Sequence, residues 1–219
     1  MQEFDAAWLA ALRLRAQVPP SRARVPLRHG DDIIGSVLPD LFKKTGLWPM
    51  SDAHRLLSIV EQSGVVANAG SPASAGWRIE GPLTHSLQDI ALAMREARVG
   101  HVAQHWRNEA LAVYGSSGAR LGEVERGAVR TLGIATRAVH LVGFTPDGRV
   151  WVQQRALNKA NDPGLWDTLM GGMVSGADTV ATALVRETWE EAGLHLGQLQ
   201  AVERGGCVTI RRPTGEADD

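Results

Sequence analysis

The sequence predicts an α/β domain over residues 135–219 preceded by an α+β domain over residues 1–134, and three observations predict it. From Arg137 the pattern runs strand, tight turn, strand, loop, strand, helix, an order that layers helices on a sheet. Before that point helical periodicities and short alternating runs are mixed, with no internal repeat. The chain has 219 residues, 44% of them hydrophobic and 21% charged, enough for one and a half to two globular domains of roughly 100–200 residues each.

In the first domain, Trp8, Leu9, Leu12 and Ala16 recur at helical spacing, so residues 5–17 form an amphipathic helix that Pro19 and Pro20 end. VPLRHGDDIIGSVLP reads as a hairpin turning at Gly30-Asp31-Asp32, with Ile33, Ile34 and Val37 packing inward. Ser51 is a good cap for a second helix through HRLLSIVEQ to Gly64, followed by a small-residue loop over residues 67–76. Ser86 and Asp89 have capping-box spacing, which places a third helix over 86–99, stopped at Gly100. HWRNEALAVYGSSGARLGEVER alternates around Leu111 and Val113, breaks at a Gly/Ser turn and turns helical near Glu123.

In the second domain, AVHLVGFT and RVWVQQR flank Pro146-Asp147-Gly148 and read together as a β-hairpin. The loop ALNKANDPGLWDT turns at Pro163-Gly164 and leads to the strand TLMGGMV, then to a helix over about 178–191. A last strand is expected around AVERGGCVTIRR. His140 alternates with Val139 and Leu141 in a strand and reads as structural.

A net charge of −1 gives no global attraction to nucleic acid or to acidic membranes, so an anionic ligand must be captured by a local site. The single Cys207 excludes an internal disulfide and is expected to be a buried, inert thiol. The N-terminal run mixes Glu3, Asp5, Arg13 and Arg15 into its apolar residues, unlike a signal peptide or a membrane span, which reads as cytoplasmic.

GGMVSGADTVATALVRETWEEAGL concentrates the chemistry. At about 100° per residue, Glu187, Glu190 and Glu191 fall in one arc of a helix roughly 100° wide. Leu184, Ala181, Ala192 and Val185 form a separate apolar stripe for the core. Three like charges near a helix C-terminus repel one another and oppose the helix dipole, and a hard divalent cation reverses both penalties. A solvated acidic face is the plain alternative, but Gly171-Gly172 before the helix lets backbone approach a ligand, and Gly193 ends the helix.

Read from Gly172, five residues lead to Asp178, seven more to Arg186-Glu187, and then Glu190-Glu191 and Gly193-Leu194 follow. The pattern resembles the Nudix box, Gx5Ex7REUxEExGU, and implies a Nudix α/β/α sandwich. By matching position the resemblance makes Glu187, Glu190, Glu191 and the Gly171 carbonyl ligands of Mg²⁺ or Mn²⁺, with Arg186 orienting the glutamates. It casts Glu190, Arg186 and Glu187 as catalytic, and the reaction as metal-dependent hydrolysis of a diphosphate linkage. Asp178 stands where the pattern has Glu, and its plain alternative is a helix N-cap. Thr188 replaces a bulky aliphatic residue in the core stripe, which should loosen the packing or set its hydroxyl against a neighbouring carbonyl.

From about residue 86 onward the chain also resembles the Nudix proteins that carry the domain DUF4743, related to the Nudix part of thiamine pyrophosphokinase-like proteins. HWRNEALAVYG, VERGAVRTLGI and VWVQQRALNKANDPGLWDTLMGGMVSG carry that likeness. It implies small-molecule or nucleoside diphosphate substrates, thiamine diphosphate derivatives among them. Arg155 and Lys159 are then phosphate partners, or else solubilising surface charge, and Trp166 stacks on a heteroaromatic ring or else belongs to the core.

The rival readings are a degenerate Nudix domain that binds a diphosphate without cleaving it, and an isomerase of the same fold, for which no Cys lies near the box. Only 25 residues follow Leu194, so the domain is expected to be truncated at its C-terminus or completed by another chain, as in a homodimer.

Overall fold

The computed structural model describes residues 5–48, 56–61, 75–159, 162–211 and 213, and divides into two compact units. One comprises Met1–Ala135 with Gly206–Asp219, the other Thr136–Gly205. No helix among the described residues is long and apolar enough to cross a membrane.

The first unit is a mixed four-stranded sheet with helices. Its strands β1 (Val25–His29), β2 (Asp32–Val37), β3 (Leu57–Glu61) and β4 (Ala75–Ile79) lie in the order β2-β1-β4-β3, with β1 and β4 parallel. The expected hairpin is present, but a bulge after Leu27 resets its register, so Ile34 and Val37 are buried while Ile33 faces out. The helix expected over 51–64 lies outside the described residues except for 56–61, and there Leu57–Glu61 is strand. Antiparallel pairing with β4 overrides the local helical reading. The expected loop over 67–76 likewise lies outside the described residues except at its end, where Ala75 and Gly76 begin β4.

Helix α1 (Ala6–Ala16) forms, its N-terminus capped by Asp5, but it fully buries none of its residues: of the expected stripe, Leu9 and Ala16 are half-buried and Trp8 and Leu12 exposed. The short helix α2 (Leu41–Lys44) contributes buried Leu41 and Phe42. Helix α3 spans Leu83–Glu96, starting three residues before the expected cap. Ser86 is therefore inside it, buried, its hydroxyl donating to the Glu80 carbonyl at 2.7 Å. Leu87, Ile90, Ala91 and Met94 form its buried face. After the short α4 (Val102–His105), strands β5 (Ala110–Tyr114) and β6 (Arg120–Glu125) make a hairpin that packs on α3. The chain stays extended through Glu123 to Glu125, and a single 3₁₀ turn follows, because ladder pairing from Ala110 opposite Glu125 continues to the end of the strand.

In the second unit, β7 (Ala138–Leu141) pairs with β11 (Met170–Met173), while β8 (Gly143–Phe144), β9 (Val150–Gln154) and β10 (Trp166–Thr168) form a separate antiparallel sheet. The expected hairpin is thus confined to β8 and β9, and β7 is given to another partner. Val139, Met170, Val174 and Ala183 are its buried core, with Leu141 and Leu184 against it.

The final strand expected around AVERGGCVTIRR does not form. Arg211 alone makes a bridge to Gln17, with its N–H donating to the Ala16 carbonyl at 2.7 Å. Cys207 lies in this stretch, outside any strand among the described residues, and is exposed, not buried.

Candidate functional site

Helix α5 (Val180–Ala192) starts at Thr179, whose hydroxyl accepts from the Thr182 N–H while Thr182 returns the bond. Asp178 is therefore not the cap. It lies one residue outside the helix and reaches two turns along it to Arg186, with its Oδ2 accepting from Nη2 at 2.8 Å and Nε at 3.0 Å. Thr182 Oγ1 donates to the other Asp178 oxygen. The Arg186 bonds, outweighing a small upward push from burial, hold the Asp178 carboxyl below its ordinary value. In return Asp178 first, then Glu187, raise the Arg186 guanidinium further, so it is permanently charged.

Arg186 is the hub of the cluster. Its Nη1 donates to Glu187 Oε1 at 2.9 Å and to Glu190 Oε2 at 3.0 Å, while Nη2 also points at the Met173 carbonyl. The guanidinium fork thus ties strand β11, the loop before α5 and two glutamates into one charge-assisted network.

The glutamates do not share one environment. Glu187 is turned inward, with only 13% of its side chain exposed, and its carboxylate sits where a Cβ on Gly172 would be. That contact explains the glycine, because any side chain at 172 would evict the carboxylate. Glu190 is about half exposed and Glu191 is also exposed. Gly171 is in mid-strand opposite His140, whose ring lies over the bare Cα.

The apolar stripe is also rotated from the expected one. Ala183 and Thr188 are fully buried and Leu184 half-buried, whereas Ala181 and Val185 are exposed beside a shallow open depression that Asp178, Thr182 and Arg186 complete. The stripe follows Glu187 inward because Gly172 gives that carboxylate room on the strand side. Thr188 places its hydroxyl on the Leu184 carbonyl at 2.6 Å, satisfying a polar group in the core. Gly193 ends the helix in the left-handed conformation, at φ 65°, and His195 beyond it stacks on Trp189.

The three expected substrate residues are dispersed around the β9–β10 connection. Arg155 is paired to Asp167 at 3.0 Å, Lys159 is exposed, and Trp166 is 70% exposed, which removes it from the core. Trp166 belongs to an edge strand of a sheet whose neighbours Val150, Trp151 and Val152 are exposed as well.

Glu187, Glu190 and Arg186 are thus brought together, Gly172 with them, while Glu191, Lys159 and Trp166 are not. Among the described residues no group of three His, Cys, Asp or Glu side chains converges as a ready metal site. The donors present, hard carboxylate oxygens held by an arginine, nevertheless suit Mg²⁺ or Mn²⁺ chemically. Asp178 was legible as the carboxylate at the pattern's first Glu position or as a helix N-cap, and Thr182 not at all, although they lie eight and four residues before Arg186, within reach along the helix.

The match to known proteins follows the same segment. Residues 135–216 match the family model of the NUDIX domain. The chain carries a Nudix domain. An uncharacterized Nudix hydrolase of Pseudomonas aeruginosa is 38% identical over 74 residues, 34% of this chain and 44% of the relative. An uncharacterized Nudix hydrolase of Streptomyces coelicolor is 33% identical over 33% of this chain and 40% of its own. The chloroplastic Nudix hydrolase 24 of Arabidopsis thaliana is 35% identical over 32% of this chain and 20% of its own. The chain therefore spans less than half the length of these curated relatives. A crystal structure from Deinococcus radiodurans aligns over 42% of this chain and 57% of its own at 25% identity, with a TM-score of 0.38.

Proposed function

We propose that the Nudix domain hydrolyses the diphosphate linkage of a small-molecule or nucleoside diphosphate derivative, with thiamine diphosphate-like compounds among the candidates. The observation that carries this reading is the Asp178–Arg186–Glu187/Glu190 network standing over Gly172 within the segment that matches the Nudix family. The likeness to DUF4743 proteins in the loop before the box supports the substrate class. In this reading residues 135–219 act on the substrate, and residues 1–134 form a separate accompanying domain.

Glu187, Glu190, Glu191 and the Gly171 carbonyl are the groups that would hold Mg²⁺ or Mn²⁺. When bound, the cation neutralises diphosphate charge and activates the attacking water. Before any ligand arrives, Arg186 bridges Glu187 and Glu190 through its Nη1 and offsets the repulsion between them. Asp178 holds the guanidinium at its other side, so the glutamates are set before substrate binds. Glu190 or Glu187 would take the proton of the attacking water, Glu190 being the more exposed. Arg155 and Lys159 would meet the phosphates and Trp166 a heteroaromatic ring.

Release of phosphate or monophosphate from a panel of diphosphates with Mg²⁺, wild type against Glu191→Gln and Glu190→Gln, tests this. The variants are expected to lose roughly hundredfold or more in kcat, and a wild type silent on the whole panel sinks the hydrolase reading. A second reading, diphosphate binding without hydrolysis, is favoured by one observation: Arg186 already occupies Glu187 and Glu190. It predicts heat of binding to ADP in calorimetry with no turnover.

A further inference from the structure

Two arginines meet on the sheet of the first unit. Strands β1 and β4 run parallel with Arg28 paired to Arg78, and neighbouring strands lie about 4.8 Å apart, so the two side chains leave the sheet side by side. The residues before them, Leu27 and Trp77, are buried, and alternation sends Arg28 and Arg78 to the opposite face, where both are half-buried. Arginine cannot shed its charge. Like charges side by side on a sheet repel, and partial removal from water strengthens the repulsion.

The surrounding residues do not relieve it. Neither guanidinium makes a hydrogen bond or an ion pair with a described residue. Glu80, two residues beyond Arg78, accepts instead from the hydroxyl of Ser58, the β3 residue paired to Arg78. On the other side of Arg28 its β2 partner is Ile33, apolar and exposed. Gly76, two residues before Arg78, has no side chain and lies against Pro26 of β1, whose carbonyl oxygen a Cβ there would approach to 2.9 Å. Two guanidinium forks thus share one side of the sheet, beside a floor of small residues and without a protein counter-charge among the described residues.

We propose that Arg28 and Arg78 form an anion site of the first unit that takes a phosphoryl group, as free phosphate or as the monoester of a small molecule. A phosphoryl dianion cancels both charges and offers oxygens to both forks, whereas a single carboxylate cancels one charge. The Glu80 carboxylate limits the site at its own end by repelling the anion. This binding depends neither on the Nudix segment nor on a metal.

The full chain in EDTA, which silences metal-dependent binding elsewhere, tests it. In arginine Nε–Hε NMR, with Arg28→Lys and Arg78→Lys for assignment, both signals are expected to move as inorganic phosphate is added. A second titration with AMP separates the sources: tighter AMP assigns a monoester, equal affinity the phosphoryl group alone. Arg28→Gln and Arg78→Gln are each expected to weaken binding about tenfold or more, the loss of one charge-assisted contact. Melting adds a readout that a structural role would move the other way. Without anions both variants are expected to melt no lower than wild type, because a repulsion is removed, and phosphate is expected to raise the melting temperature of wild type alone. Signals unmoved by phosphate and AMP, an affinity unchanged in both variants, or variants that melt well below wild type without anions overturn the proposal.

Discussion

The two units solve the problem of burial differently. The first closes a continuous core in which Leu27, Phe42, Ile79, Leu87, Ile90, Met94 and Leu111 are sealed from solvent. Among the described residues of the second, the buried apolar side chains are Val139, Met170, Val174 and Ala183, while Phe144, Trp151, Leu165, Trp166, Val185 and Trp189 are exposed. What holds the second unit's site is instead polar: one arginine bridging three carboxylates, and a glycine that makes room for one of them. Apolar packing therefore fixes the first unit, while the Nudix segment is fixed by directional bonds whose strength depends on protonation.

The sharpest way to break this contrast is to cut one core residue in each unit. Leu87→Ala is expected to cost about 4 kcal/mol, because its tightly filled surroundings cannot collapse, and Met170→Ala about 2 kcal/mol in its small cluster. Urea unfolding checks both, and equal costs would erase the distinction between the units.

A Cβ at Gly172 is the next largest perturbation. Gly172→Ala should displace the Glu187 carboxylate, costing about 1–3 kcal/mol of stability and abolishing metal-dependent turnover while leaving the first unit's unfolding unchanged. Calorimetry with and without Mg²⁺ measures it, and a variant that keeps full Mg²⁺ response shows that Glu187 is no ligand.

The smallest effect is the most diagnostic of polar fixation. Asp178 titrates below its ordinary value of 3.8 in the folded chain. Its ion pair is thus fully present above about pH 4 and is lost as pH falls through the lowered value, where the unfolded chain already takes up the proton. Melting temperature should drop across that window in wild type and less so in Asp178→Asn, which is also expected to lose about 10–100-fold in activity near neutral pH. An identical acid profile for both proteins would place the sensitivity elsewhere.

The features legible in the sequence were those with strong local signals. The turn at Gly30, the hairpin turn before Arg149, the helix stop at Gly193 and the Thr188 back-bond all follow from short-range chemistry. What was not legible depended on partners far along the chain. Leu57–Glu61 is strand because β4 lies beside it, and β7 leaves its hairpin because β11 offers a longer ladder. The face of α5 was misread for the same reason. A helical wheel places carboxylates on the wet side, but Gly172 opens a slot that draws Glu187 inward and turns Ala181 and Val185 out.

Cys207, the chain's one thiol, is on the surface. In air, two copies can be joined there by a disulfide without any folded interface between them. A dimer band that vanishes with dithiothreitol is accounted for by that bond, whereas a dimer that survives the reductant reports real association. The same thiol accepts one maleimide dye without mutagenesis, which gives the protein a single built-in attachment point for following its ends.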